Sequence, residues 1–351
     1  QGWRVTVPSH RFDIAIEADL LEELARIYGY DNLPVEPPVG RMEFREKEEA
    51  RLPVSRLRGL LVARGYSEAI TYSFIDPELE RLFAESGQAI ALANPIASDM
   101  SVMRSSLLPG LVSAAQYNLN RQQTRMRLFE TGLRFVAGDR GIEQTPMLAG
   151  LICGTREPES WCADTNQVVD FYDIKSDVEA LLAATSSTVD TVFEPTQHPA
   201  LHPGQGARVS IAGNHVGHVG LLHPQVAQKL GIASAIWLFE LQLTLISEKK
   251  VPEFKELSKF PEVRRDLAIV VDSSLSAMEV LTCARRAAGD TLVDIVLFDQ
   301  YSGAGIEDGK QSIGLGMTWQ HPERTLHDDD VQSLADGVLV ALEAQYHASL
   351  R

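Results

Sequence analysis

Residues 312–319 read SIGLGMTW. Side chains alternate across a strand, so Ile313, Leu315, Met317 and Trp319 fall on one face and Ser312, Gly314, Gly316 and Thr318 on the other. The first face is a core face. The second is unusually small and flat. Working outward, the pattern predicts a strand over 266–271, a helix over 277–287, a strand over 292–298, a helix over 328–343 and a short final strand. That β-α-β-β-α-β order is the order of a ferredoxin-like fold. Helices of this fold cover one side of the sheet only, so a face this small can receive a partner.

Upstream, residues 43–250 mix helices with strands that pair as hairpins. A helix over 53–64 carries Leu57, Leu60 and Leu61 on one side, with Gly65 placed to end it. A strand is expected over 69–74. A helix over 107–119 has Pro109 in its first turn, and a strand follows over 125–135. Strands over 207–211 and 216–221 form a hairpin with Gly213-Asn214 in the turn. These features argue for an α+β arrangement with an antiparallel sheet rather than a doubly wound parallel one. Pro34, Pro37, Pro38 and the run Glu46-Lys47-Glu48-Glu49 read as a stiff connector to an earlier segment. The chain starts at Gln1, and Gly2-Trp3-Arg4-Val5 reads as the interior of a folded segment, so a piece of a longer protein is expected.

Composition is that of a globular protein, with 44% hydrophobic and 23% charged residues. No apolar run is long enough to span a bilayer. The three cysteines, Cys153, Cys162 and Cys283, form no C-x-x-C pair, which fits reduced thiols in a cytoplasm. The net charge of −16 argues against a dedicated nucleic-acid binder without excluding one. Locally the sign reverses: Arg104, Arg121, Arg125, Arg127, Arg134 and Arg140 stand against Glu130 and Asp139 within 101–140. Such a stretch could meet phosphates or an acidic partner, or simply cover a sheet edge with long side chains. The latter role, or a subunit contact, is slightly favoured.

A helix over 18–28 sets Asp19, Glu22 and Glu23 at i, i+3 and i+4, with Asp13 just upstream. Clustered carboxylates suit a hard cation such as Mg²⁺, but acids in a first helical turn are also favoured by the helix dipole alone. His215, His218 and His223 have irregular spacing and read as solvent-facing or hydrogen-bonded rather than as zinc ligands. His202, before Pro203-Gly204, reads as a turn residue. Gly309-Lys310 lacks the rest of a phosphate-binding loop. Asp328-Asp329-Asp330 reads as helix capping. No nucleophile stands beside a base, so no catalytic residue is assigned.

Residues 7–30 (VPSHRFDIAIEADLLEELARIYGY) resemble the end of the B5 domain of the phenylalanyl-tRNA synthetase beta-chain family, bacterial type. The resemblance continues through Leu60–Tyr66, Thr71-Tyr72-Ser73-Phe74, Asn94-Pro95-Ile96, Met103–Leu111, Leu128–Gly132, Asp173-Ile174-Lys175, His202-Pro203-Gly204 and Gly220–Pro224. It ends with Phe260-Pro261, Arg264–Ala268, Arg324-Thr325-Leu326 and Leu350-Arg351. It implies three parts: 1–34 as the C-terminal part of B5, 35–257 as a class II synthetase-like module that no longer activates an amino acid, and 258–351 as a ferredoxin-fold anticodon-binding domain. It further implies Mg²⁺ on Asp13, Asp19, Glu22 and Glu23, a catalytic alpha subunit in a heterotetramer of two alpha and two beta chains, and tRNA(Phe) as a partner. The family's editing module and N-terminal tRNA-binding fold have no counterpart here. Gly314-Leu315-Gly316 through Glu323-Arg324 loosely resembles an ATP-binding motif of class II synthetases, but it falls in the wrong block.

The function so implied is support, as a non-catalytic subunit, of ATP-dependent attachment of phenylalanine to its tRNA in the cytoplasm. A free-standing RNA-binding or interaction protein is the alternative, and an autonomous metal-dependent enzyme a third. The tRNA-contacting residues are not legible. Residues 258–351 hold 8 basic and 15 acidic side chains, so a stacking-led or cation-mediated contact suits them better than phosphate neutralisation.

Overall fold

The computed structural model describes residues 2–43, 48–84, 89–138, 141–164, 166–185, 191–252, 254 and 256–351. Glu46 and Lys47 of the connector, and Asp139 and Arg140 of the basic stretch, lie outside them. The chain divides into two units, Gln1–Val251 and Pro252–Arg351.

The first unit opens with helix α1 (Glu17–Tyr28), followed by α2 (Val54–Ala63), strands β1 (Ser67–Glu68) and β2 (Phe74–Ile75), α3 (Pro77–Phe83), β3 (Val102–Met103) and α4 (Leu108–Leu119). Strands β4 (Met126–Gly138) and β5 (Gly141–Cys153), helix α5 (Phe171–Ala183), strands β6 (Thr191–Pro195), β7 (Leu201–Ile211) and β8 (Asn214–Leu222), α6 (Pro224–Lys229), β9 (Ile236–Gln242) and α7 (Leu243–Ile246) complete it. A seven-stranded sheet runs β1-β4-β5-β9-β8-β7-β6. Its pairings are antiparallel apart from β1 with β4.

Both faces of this sheet are buried, and the sequence of its central strands shows why. In β5, Leu148 and Ile152 join Leu57 and Leu61 of α2 and Val178 and Leu181 of α5 in one core. Met147, Ala149, Leu151 and Cys153 alternate onto the other, against Phe83 of α3 and Leu111 and Val112 of α4. Strand β9 splits the same way, Trp237, Phe239 and Leu241 from Ile236 and Leu238. Helix α2 stops where Gly65 takes φ +84°. The Gly65 amide donates to the Val62 carbonyl and the Tyr66 amide to that of Leu61, the paired bonds of a Schellman end.

Two sequence expectations shift. The hairpin turn falls on Ala212 and Gly213, at φ 48° and 80°, and Asn214 already pairs with Ile211. A two-residue turn matching strand twist needs positive φ at both central positions, so the turn sits one residue earlier than Gly213-Asn214. Of the strand expected over 69–74 only Phe74 lies in a strand, at the start of β2, while β1 ends before it at Glu68. Between them the backbone finds other partners: the Thr71 amide donates to the Glu130 carboxylate (3.3 Å), and the Ser73 carbonyl accepts from the Arg104 amide (3.0 Å).

The second unit comprises β10 (Val263–Asp272), α8 (Ala277–Ala287), β11 (Leu292–Tyr301), β12 (Lys310–Trp319), α9 (Asp328–Tyr346) and β13 (Ser349–Leu350). The sheet order is β11-β12-β10-β13, all antiparallel. Ile313, Leu315, Met317 and Trp319 pack with Val280, Ala284, Val331, Val338 and Leu342, so both helices lie on one side. Helix α8 starts at a reciprocal cap: Ser276 Oγ accepts the Glu279 amide while Glu279 accepts that of Ser276. Asp330 does the same work at α9, accepting the His327 amide (3.0 Å) and pairing with Arg324 (2.6 Å). Among the described residues, no helix is long and apolar enough to cross a membrane.

Candidate functional site

Helix α1 and the segment before it carry the four carboxylates Asp13, Asp19, Glu22 and Glu23. Asp13 and Glu23 are joined by one guanidinium: Arg11 Nη2 lies 2.7 Å from Asp13 and 2.5 Å from Glu23. Hydrogen bonds from Arg11, with its charge adding to them, hold the Asp13 carboxyl down at about 2 and that of Glu23 below its ordinary value. Asp19 accepts the Ala15 and Ile16 amides at 2.7 and 2.9 Å, closing the entry to α1, and those bonds lower its pKa. Glu22 pairs with Arg26 at 3.3 Å. Among the described residues no group of three or more His, Cys, Asp or Glu could hold a metal ion. As arranged, the four acids do not make a cation cradle; arginine and backbone amides occupy them. Leu24, Ile27 and Tyr28 on the apolar stripe of this helix are exposed.

The first unit buries its functional-looking charges in closed pairs. Arg104 Nη1 reaches Glu130 at 2.8 Å and Thr71 Oγ1 at 3.0 Å, while its Nε donates to the Leu133 carbonyl. Both ions are almost wholly out of water. Gly132 makes the pair possible, because a Cβ there would lie 2.4 Å from Arg104 Nη2. Asp177 of α5 is held by Arg64 (2.5 Å), Arg127 (2.9 Å) and the Tyr66 hydroxyl (2.6 Å). Burial, with the Asp177 charge beside it, pushes the Tyr66 hydroxyl pKa well up. Glu240 accepts the Leu107 amide (2.6 Å) at the start of α4 and the Ser106 hydroxyl (3.1 Å). These groups tie helices to the sheet, and nothing in their geometry leaves one poised for chemistry.

His202 Nδ1 accepts the Gly204 amide (3.0 Å) in a tight turn, and His223 does the same for Gln225 at the start of α6 (3.1 Å). The rings of His215 and His218 lie 4.6 Å centroid to centroid, with His198 4.7 Å from His218.

The second unit offers a different surface. The face of its sheet away from α8 and α9 was expected to be small and flat. It is instead roofed by long side chains from the flanking strands. A Cβ on Gly314 would lie 3.0 Å from the Phe298 ring, and one on Gly316 would lie 2.4 Å from Arg264 Nη2. The glycines are the space these side chains occupy. The Arg264 guanidinium stands 5.8 Å from the Phe298 ring centre, and that of Arg351 stands 5.2 Å from the Tyr301 ring. Phe298 remains 51% exposed and Tyr301 37%. Arg264 also pairs with Asp266 at 2.8 Å, so the face is aromatic and nearly charge-balanced. Two accessible rings, each beside a guanidinium, can stack flat conjugated groups with little net electrostatic attraction. The sequence reading missed Phe298 and Tyr301; the signal available was an aromatic on the strand paired with the glycine-rich one.

Comparison with known proteins adds three matches along the chain. A family described as "Phenylalanyl tRNA synthetase beta chain CLM domain" matches residues 33–243. "Ferredoxin-fold anticodon binding domain" matches 258–351. "tRNA synthetase B5 domain" matches 1–30. The phenylalanine–tRNA ligase beta subunit of Pseudomonas fluorescens is 53% identical over 349 residues, which are 99% of this chain and 44% of that one. The corresponding protein of Vibrio cholerae is 45% identical over 354 residues, 100% of this chain and 44% of that one. The chain thus spans less than half the length of these relatives. Among solved structures, a pyrrolysyl tRNA synthetase from Desulfitobacterium hafniense overlays with a TM-score of 0.42 at 13% identity, over 56% of this chain and 66% of that chain. At that score no fold assignment follows.

Proposed function

The chain belongs to the phenylalanyl-tRNA synthetase beta-chain family, and from that premise we propose that it is the portion of a phenylalanine–tRNA ligase beta subunit that scaffolds the catalytic alpha subunit and holds tRNA(Phe). ATP-dependent attachment of phenylalanine takes place on the alpha chain, in a cytoplasmic heterotetramer of two alpha and two beta chains. Residues 1–34 are the end of B5, 35–257 a class II synthetase-like module without chemistry of its own, and 258–351 the domain that meets the anticodon region. The observation that carries the tRNA reading is the helix-free sheet face with Phe298 and Tyr301 beside Arg264 and Arg351. For the central module the support is that Arg104, Glu130, Asp177 and Glu240 are each committed to structural partners.

For Mg²⁺ we propose Asp13, Asp19, Glu22 and Glu23 as ligands, taken up only after Arg11 releases Asp13 and Glu23. A hard cation would then replace the guanidinium as the group that neutralises these acids. Mg²⁺ titration of the Arg11→Gln chain should give tighter binding than the parent, and an Asp19→Ala change with unaltered affinity would remove the site.

The governing experiment is aminoacylation with and without the alpha subunit. The reading requires activity only when both chains are present. Formation of phenylalanyl-adenylate by this chain alone would overturn it, and failure of any alpha subunit to associate would favour a free-standing RNA-binding or interaction protein. Deleting 258–351 should weaken tRNA binding.

A further inference from the structure

A cavity of about 160 Å³ in the first unit is lined by Arg134 of β4, His215 and His218 of β8, Glu240 of β9, and by His198 and Ser105. The three imidazoles form a cluster of tilted rings, with His218 4.7 Å from His198 and 4.6 Å from His215 between ring centres. Arg134 is the unusual member. Its Nε is shut off from solvent and has no hydrogen-bond partner. Among the described residues its guanidinium joins no ion pair either, in contrast to Arg64, Arg104 and Arg127 on the same module. The carboxylate that faces the cavity, Glu240, spends one oxygen on the Leu107 amide and Ser106 hydroxyl at the start of α4. Space, a cation with an unused donor, and imidazoles therefore meet in one place, with His198 Nδ1 already accepting the Ala200 amide and His215 Nε2 bonded to the Gly217 carbonyl.

A buried donor left unmatched calls for an explanation, such as a bound ion or water. Apolar filling from Phe83, Val136, Met147 or Val216, which also line the cavity, cannot supply it, because an N–H donor needs an acceptor. Water could enter, but water brings no charge to an unpaired guanidinium, whereas an oxyanion offers paired acceptors in the plane of its fork. Size sets the scale. The cavity holds the liquid volume of about five water molecules, which suits a phosphate group or a short carboxylate.

We propose that this cavity is a binding site for a small oxyanion, with Arg134 as its charge partner and the imidazoles of His198, His215 and His218 as its hydrogen-bonding wall. The shared chemistry is a compact group with a terminal, singly charged O–X–O edge, carried either by a phosphate ester or by a carboxylic acid. The proposal stands on the first unit alone and is independent of where tRNA binds.

The test uses the full chain. Inorganic phosphate and acetate are titrated separately by calorimetry, with the histidine ring signals followed by NMR. One equivalent of either probe should bind saturably, shift the rings of His198, His215 and His218 ahead of His223, and lose at least tenfold in affinity in Arg134→Gln. Preference for phosphate assigns a phosphate ester as the natural ligand; preference for acetate assigns a carboxylate. Absence of saturable binding by both probes, or ring shifts that bypass the three histidines, overturns the proposal. So does undiminished affinity in a folded Arg134→Gln chain. Should that variant unfold, His215→Asn, at the exposed end of the cluster, must weaken binding at least threefold, and an unchanged affinity is equally fatal.

Discussion

Replacing Phe298 with alanine removes the ring that lies across Gly314 and under the Arg264 guanidinium while leaving β11 paired with β12. About half of this side chain is in water, so the core of the second unit loses little. A base stacked on such a ring contributes about 1–3 kcal/mol, so under the function proposed above the affinity for tRNA(Phe) should fall about 5- to 150-fold. The electrostatic signature should be small. Arg264 and Arg351 are the cations on the rings, and Arg264 is already paired with Asp266. Two neutralised phosphates at most give a logarithmic salt slope near −1.4 for this domain's contribution, by the single-strand rule of about −0.7 per phosphate. The assay is filter binding or fluorescence anisotropy from about 50 to 200 mM salt, comparing wild type, Phe298→Ala and the chain without 258–351. Gly314→Ala should reproduce part of the loss, since the new methyl meets the ring at 3.0 Å. A Phe298→Ala affinity within twofold of wild type would refute the stacking surface. A domain contribution steeper than about −4 in the salt plot would show that phosphate contacts, not rings, carry the binding.

Three further expectations concern the scaffold. Arg104→Met strands the buried Glu130 carboxylate and should cost about 3–5 kcal/mol, read as faster hydrogen exchange in β4 and β5, whereas Arg104→Met with Glu130→Leu should recover most of it; a loss below 1 kcal/mol in the single variant would contradict the closed-pair reading. Burial pushes the Glu80 carboxyl pKa up, against the opposing effect of the Ser105 amide it accepts. Its folded pKa therefore exceeds its unfolded one, and the ionised form penalises folding. Stability from this group should rise as pH falls through the raised pKa toward the unfolded value of about 4.3, and Glu80→Gln should abolish that rise in urea titrations at stepped pH. Native thiol labelling should modify Cys162 quickly and leave Cys153 and Cys283 protected, since the first is exposed and the others buried; equal labelling of all three would mean the cores open.

The local patterns in the sequence were legible because each is written within a few residues. Alternation in 312–319 placed Met317 and Trp319 in a core, and the strand and helix order that followed is the one observed in the second unit. Gly65 ended α2, and acids at 328–330 began α9. Chain-wide resemblance carried the family. What alternation could not supply was which distant side chain fills a given space. Gly314 and Gly316 read as a bare face, yet Phe298 and Arg264 come from neighbouring strands to cover them. Thr71 reads as strand, yet its hydrogen bonds go to Glu130, fifty-nine positions away. The four acids of the first segment read as a cation site, yet Arg11 and the amides of Ala15 and Ile16 hold three of them. Arg134 and His218 gave no shared signal in sequence, because strands far apart in the chain bring them to one cavity. Periodicity is a property of a segment and survives in the sequence; charge pairing and cavity lining are properties of contacts, and only the tertiary fold decides those.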